Sequence, residues 1–336
     1  MSLIKTNGLP IYKPSTGFKY PWAYTIWEDH DAMVWHKNDY DLSQDVKDFA
    51  NADEKEKNLI NSIMKLFTEN DTLASTGYAT MLRIFKPFEV YGMLSSFNDR
   101  EITHTHNYAN FTETIGLPNS IYSEFLDIPV MSTKTEYMDK AKVRKYEDYK
   151  AAGLTDSQVD KEYRRSIARM LAVYAGGLEG IALMAQFAML LTFQEKGKYP
   201  GLCSIVEWSV KDEMMHLKGN ATLFRTFIEE NPDIWDDELK FDIYQAIREV
   251  VAYEHALIDY LNPEDATQFK RYVEFMADNA LSELGMKKNY NISANPIPFM
   301  EDITGFILTD FFSGAVTEYS KQVEGSWGEI KYDHWK

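Results

Sequence analysis

The sequence predicts an all-α protein, and three observations carry that prediction. Helix-forming residues dominate, while glycine (17) and proline (11) are sparse among the 336 residues. Runs with the period-two alternation of a strand are hard to find. Apolar residues instead recur in alternating steps of three and four, the spacing of one buried helix face. Length alone would suggest about two domains, but the helical pattern reads as one unit over residues 1–320 followed by a tail, residues 321–336.

Composition narrows the function classes. A net charge of −17 argues against non-specific binding to nucleic acid or to anionic membranes. The single cysteine, Cys203, excludes an internal disulfide and suits a reducing cytosol. The opening "MSLIKTNGLPIYKP" lacks the apolar core of a signal peptide, so a cytoplasmic location is expected.

The elements follow in order. The first fifty residues are aromatic-rich and irregular until "DLSQD", where Ser43 is placed to cap a short helix. Helical patterns then run over about 54–86, 88–116, 133–151, 156–196, 202–229, 233–260 and 263–284. Thr155 with Gln158 reads as a capping box for the fourth. Asn262-Pro263 opens the last and Gly285 closes it. "SANPIPFMED" is a loop, because its two prolines break any helix. A further helix is expected near 300–320, and "KQVEGSWGEIKYDHWK" reads as a mobile tail.

Residues 170–193, "MLAVYAGGLEGIALMAQFAMLLTF", are long and apolar enough to be a membrane span. Glu179 sits in the middle, and the helical pattern continues upstream through the charged "DKEYRRSIARM". Both favour the central helix of a soluble bundle, apolar all round because it is buried all round.

Ionisable residues fall on stripes that ought to be apolar. In "REITHTHNY" the stripe Leu94, Phe97, Glu101, His104, Tyr108, Phe111, Ile115 carries a Glu-x-x-His. Further on, Val206, Ser209, Glu213, His216, Asn220, Leu223, Phe227 carries a second. Asp71 is in phase with Ile60, Met64, Phe67, Ala74, Tyr78, Met81 and Phe85, whereas Glu69 is out of phase. Glu179 is the carboxylate of the apolar helix. The remaining histidines, His30, His36, His106, His255 and His334, read as solvated.

Buried carboxylates are costly unless their charge is compensated. Two divalent cations carry four positive charges, matching ionised Asp71, Glu101, Glu179 and Glu213. Neutral His104 and His216 complete the set. The i,i+3 spacing places each Glu and His one turn apart on a single face. Oxygen-rich ligation with one imidazole per metal suits iron or manganese better than the thiolate sets of structural zinc. The arrangement resembles ferritin-like dimetal carboxylate bundles, which take single carboxylates from two helices and Glu-x-x-His from two others.

At these residues the chain resembles the small, radical-generating subunit of class I ribonucleotide reductase, from about residue 20 to 320. "TENDTLAS" resembles the segment of the first ligand, Asp71. "REITHTHNY" matches Glu-x-x-His followed four residues later by the radical tyrosine, hence Glu101, His104 and Tyr108. "LEGIALMAQF" matches the segment of Glu179, and "VKDEMMH" that of Asp212, Glu213 and His216. "NPIPF" resembles the family's Asn-Pro-x-Pro-aromatic loop, and "MVWHKNDYDLSQD" the segment bearing the tryptophan, here Trp35.

The resemblance implies a ferritin-like bundle with two iron or manganese ions per chain. It implies an oxidising equivalent formed there and passed through Trp35, Asp212 and His104, and then out by a tail tyrosine, Tyr332, to a large catalytic subunit. A homodimer is implied as well. Trp327 and Trp335 would anchor the tail. Bulky apolar residues usually surround the radical tyrosine in this family; here those positions read Leu183, Phe187 and Ser209, and Lys211 stands where arginine is commoner. The competing readings are a ferritin-like dimetal oxygenase or oxidase, and an iron-storage protein without a catalytic partner.

Overall fold

The computed structural model describes residues 2–4, 17–143, 148, 151 and 153–304, apart from the side chains of residues 68 and 69. Besides residues 299–304, which are helical as well, eleven α-helices among these residues carry the fold. They are α1 (Pro21–Ala32), α2 (Ser43–Asn51), α3 (Glu54–Ile84), α4 (Phe88–Thr114), α5 (Ile121–Glu124), α6 (Pro129–Lys140), α7 (Asp156–Ala172), α8 (Met184–Glu195), α9 (Pro200–Glu230), α10 (Asp237–Leu261) and α11 (Ala266–Glu283). A π-helix, Val173–Glu179, links α7 to α8. No strand occurs among the described residues.

Local chemistry sets several boundaries. The Asp53 side chain accepts the Glu56 amide at 2.8 Å and starts α3. The capping box of α7 is present, with Thr155 and Gln158 side chains exchanging bonds with each other's backbone N–H. Asp236 caps α10 by accepting the Leu239 amide at 3.0 Å. Gly285, at φ +74°, ends α11 in the left-handed region that favours glycine.

The structure corrects five expectations. Residues 21–32 form a helix, not an irregular segment, with Pro21 in its first turn and Ala23, Ile26 and His30 facing inward. Ser43 does not cap α2; Leu42 holds that position, and Ser43 donates from its amide and hydroxyl to Asp41. The helix expected over 133–151 runs instead over Pro129–Lys140, and Pro129 fits its first turn because the missing N–H is not needed there. Asn262 does not open a helix: at φ 48° it closes α10, and α11 begins at Ala266. Finally, the single helix expected over 156–196 is interrupted.

That interruption matters most. Gly180 N–H bonds Ala175 O and Ala182 N–H bonds Gly177 O, both at 3.0 Å and both one residue wider than α-helical spacing. A uniformly apolar sequence gives periodicity nothing to detect there. The stretch Asp156–Glu195 is apolar and long enough to cross a membrane, yet 94% of its most apolar window is buried inside the bundle.

Helices α3 and α4 lie side by side, α1 packs on α4, and α9 contacts α4, α7, α8 and the π-helix. Close approach depends on small residues. A Cβ at Gly77 of α3 would lie 2.0 Å from Tyr174 Cε1 of the π-helix. One large buried cluster joins α3, α4, the π-helix and α9. Within it sit the ionisable side chains of the four stripes.

Candidate metal centre

Each stripe delivers its polar side chains to the same place. Asp71 comes from α3, Glu101 and His104 from α4, Glu179 from the end of the π-helix, and Glu213 and His216 from α9. All six are buried, at 2% exposure or less. They form two overlapping groups: Asp71, Glu101, His104 and Glu213, and then Glu101, Glu179, Glu213 and His216. One ligand atom from each member lies within 4.8 Å of the others in its group.

Glu101 and Glu213 belong to both groups, and their oxygens divide accordingly. Glu213 Oε1 is 3.3 Å from His104 Nδ1, and its Oε2 is 3.2 Å from His216 Nδ1. Glu101 Oε1 is 2.9 Å from His216 Nδ1, and its Oε2 is 3.9 Å from His104 Nδ1. Asp71 lies with His104 alone, and Glu179 with His216 alone, at 3.5 Å.

The electrostatics of this cluster are those of four carboxyls buried together with two imidazoles. Burial first, then the neighbouring carboxylates, push the Asp71 and Glu179 carboxyls well above the usual range. Burial would make His104 and His216 lose their protons, but hydrogen bonds to surrounding carboxylates outweigh it and hold both well above the ordinary histidine value. Asp71 Oδ2 is buried without a hydrogen-bond partner. Carboxylate oxygens and one imidazole per group, with no thiolate in either, could hold a pair of hard or borderline divalent metals.

Outer partners orient these side chains. His104 Nε2 faces Asp212 Oδ2 at 3.0 Å, and Trp35 Nε1–H donates to the same oxygen at 2.8 Å. The Trp35 and His104 rings stack, with centroids 5.8 Å apart. Burial tends to protonate Asp212, yet the His104 hydrogen bond and the Arg100 charge bring its carboxyl below the usual value. Tyr108, buried in α4, donates to Ser209 Oγ at 2.7 Å, and its ring lies 4.8 Å from Phe67 and 6.5 Å from His104 between centroids.

Three residues here escaped the sequence reading. His30 is buried, not solvated: its Nε2 is 3.2 Å from His216 Nε2 and its Nδ1 is 2.7 Å from Ser96 Oγ. The signal was present, since Ala23, Ile26 and His30 repeat in steps of three and four. Tyr78 donates to Glu179 Oε1 at 2.7 Å, and Asn220 Nδ2 donates to the Tyr78 hydroxyl at 2.8 Å. Both stood on the stripes of Asp71 and His216, with no role assigned to either there. His36 and His106 are exposed and His255 is partly so. Tyr332, Trp327, Trp335 and His334 lie outside the described residues.

Residues 15–296 match the family model described as ribonucleotide reductase, small chain. The chain belongs to that family. A curated relative, the probable ribonucleoside-diphosphate reductase small subunit 376L of invertebrate iridescent virus 6, is 32% identical over 98% of this chain and 99% of its own length. Among solved structures, the ribonucleotide reductase R2 subunit from Clostridium botulinum superposes with a TM-score of 0.78 at 20% identity, covering 90% of this chain and 94% of that one. The dimanganese(II) NrdF protein of Streptococcus sanguinis gives 0.69 at 18% identity, over 88% and 100%. The fold of this ribonucleotide reductase small subunit is therefore the ferritin-like bundle, and its partner is a large subunit. The family and the viral relative favour this oxidoreductase over the dimetal oxidase reading.

Proposed function

We propose that the chain holds two metal ions, iron or manganese, and keeps one oxidising equivalent on Tyr108 for use by the large subunit in reducing ribonucleotides. The observation that carries this is the sharing of Glu101 and Glu213 between two four-residue groups, each completed by one histidine and one carboxylate of its own. In this reading Asp71, Glu101, His104 and Glu213 would hold one ion, and Glu101, Glu179, Glu213 and His216 would hold the other. Four ionised carboxylates balance two divalent charges. A bound dimetal pair would supply the one-electron oxidation.

The protein's own residues do the rest. Tyr108 is shielded by Phe67 and held by Ser209. Its burial, followed by the nearby Asp71 charge, pushes the phenol well above its ordinary value, so the group to be oxidised is the neutral phenol and its oxidation would also release the hydroxyl proton. Asp212 accepts N–H bonds from both His104 and Trp35. That shared oxygen fixes the two rings in a stack and lets proton positions adjust when charge passes between them. Trp35 is thus the proposed exit from the centre.

Residues 321–336 are proposed as the docking tail, with Tyr332 as relay and Trp327 and Trp335 as anchors. A homodimeric assembly and a cytoplasmic setting complete the proposal. Metal analysis with low-temperature electron paramagnetic resonance tests its centre: two ions per chain and an organic radical after oxidation support it, and fewer than two ions overturns it. Truncation after residue 320 should leave the metal content intact and abolish turnover with the large subunit; full turnover would remove the tail from the mechanism.

A further inference from the structure

The two histidines of the centre have different outer partners. His104 faces a carboxylate, Asp212, at 3.0 Å. His216 turns its Nε2 to the ring of His30, nitrogen to nitrogen, at 3.2 Å. His30 comes from α1, a helix that supplies none of the six clustered side chains. Its ring is fully buried and packs edge-on against Phe97, with centroids 5.0 Å apart.

Two ring nitrogens at this distance need one proton between them. Two N–H groups would repel, and two lone pairs would leave both buried atoms unsatisfied. His216 Nδ1 faces Glu101, Glu179 and Glu213 at 2.9, 3.5 and 3.2 Å. A nitrogen that ligates a metal there must offer a lone pair, which leaves the proton on Nε2. His30 Nε2 must then accept it. The remaining His30 proton sits on Nδ1 and is donated to Ser96 Oγ, 2.7 Å away. Asp212 Oδ1 lies 3.7 Å from His30 Nε2, beyond hydrogen-bond reach, so it does not compete for that nitrogen.

We infer that His30 is the positioning residue of His216: its Nε2 accepts the His216 Nε2–H bond and so aims His216 Nδ1 at Glu101, Glu179 and Glu213. The inference rests on the dimetal reading above. It assigns the His216 half of the centre a neutral outer partner, where the His104 half has an anionic one. Losing such a partner costs about 10–100-fold in metal affinity, and the loss should fall on one half only.

The test is a manganese(II) titration of the metal-free full chain, with unbound manganese read by electron paramagnetic resonance. The wild type should bind two ions. His30→Leu should keep one site and weaken the other by about 10–100-fold. His30→Gln, whose amide oxygen can accept the same bond, should match the wild type. Two ions in the wild type with an unchanged His30→Leu overturns the role of His30 and leaves the dimetal reading standing. Equal weakening of both sites in His30→Leu also overturns it. Fewer than two ions in the wild type overturns the dimetal reading and this inference together. Nitrogen chemical shifts of histidine-labelled wild-type protein give a check that needs no variant. Protonated Nδ1 and bare Nε2 on His30 support the assignment, and the opposite tautomer defeats it.

Discussion

Tyr108 and Ser209, on α4 and α9, are joined by a 2.7 Å hydrogen bond in which the phenol is the donor, and Ser209 Oγ in turn donates to Ile205 O at 2.9 Å. The order of donation makes the two side chains unequal. Tyr108→Phe leaves Ser209 with its backbone bond, so it should cost only about 0.5–1.5 kcal/mol, the net worth of one bond. Ser209→Ala strands a buried phenol and should cost about 1–3 kcal/mol. Thermal melts of the metal-loaded variants should therefore rank Ser209→Ala below Tyr108→Phe. Only Tyr108→Phe should abolish both the organic radical signal and turnover. A retained metal-centred signal with retained turnover would move the oxidising equivalent off Tyr108.

Glu179 belongs to the His216 group and not to the His104 group. Glu179→Ala should therefore lose one metal per chain and keep the other, as measured by elemental analysis. Metal removal from the wild type should lower its melting temperature, because four buried carboxylates then lose their counter-charge. Full dimetal occupancy in Glu179→Ala would show the ligand to be misassigned.

Asp212 also lies 3.4 Å from Arg100 Nε, and both side chains are buried. Asp212→Asn strands that cation and should destabilise the protein by about 3–5 kcal/mol. Trp35→Phe removes one N–H donor to Asp212 and should cost far less, about 1 kcal/mol for the bond. Turnover with the large subunit should fail in both variants while the radical still forms. Normal turnover in Trp35→Phe would exclude that ring from the route.

Asp236 caps α10 and pairs with Arg165 at 2.6 Å. The Arg165 hydrogen bond, then the Leu239 amide, lower its carboxyl from the ordinary value to about 2. A carboxyl depressed in the folded state stabilises above its unfolded pKa of about 3.9. That contribution disappears as pH falls through the folded value. Asp236→Asn should thus melt below the wild type at pH 7, with the gap closing between about pH 4 and pH 2. A gap independent of pH would remove the charge from the account.

The residues of the centre were legible in the sequence because helical phase is a local property. Glu101 with His104, and Glu213 with His216, share a face wherever an α-helix forms, and Asp71 needed only its own stripe. Asp212 came instead from the resemblance of "VKDEMMH" to the family's segment; one residue of helical rotation turns it away from Glu213, and it meets His104 at 3.0 Å. What periodicity could not carry was anything depending on how helices meet. The sharing of Glu101 and Glu213 between two groups is set by the register of α4 against α9 and the π-helix. The π-helix itself lies in a segment that is apolar on every side, where phase has no contrast. The His30–His216 contact joins residues 186 positions apart, on helices whose crossing no local pattern encodes. Short-range order therefore determined which side chains the protein offers, and long-range packing decided which of them meet.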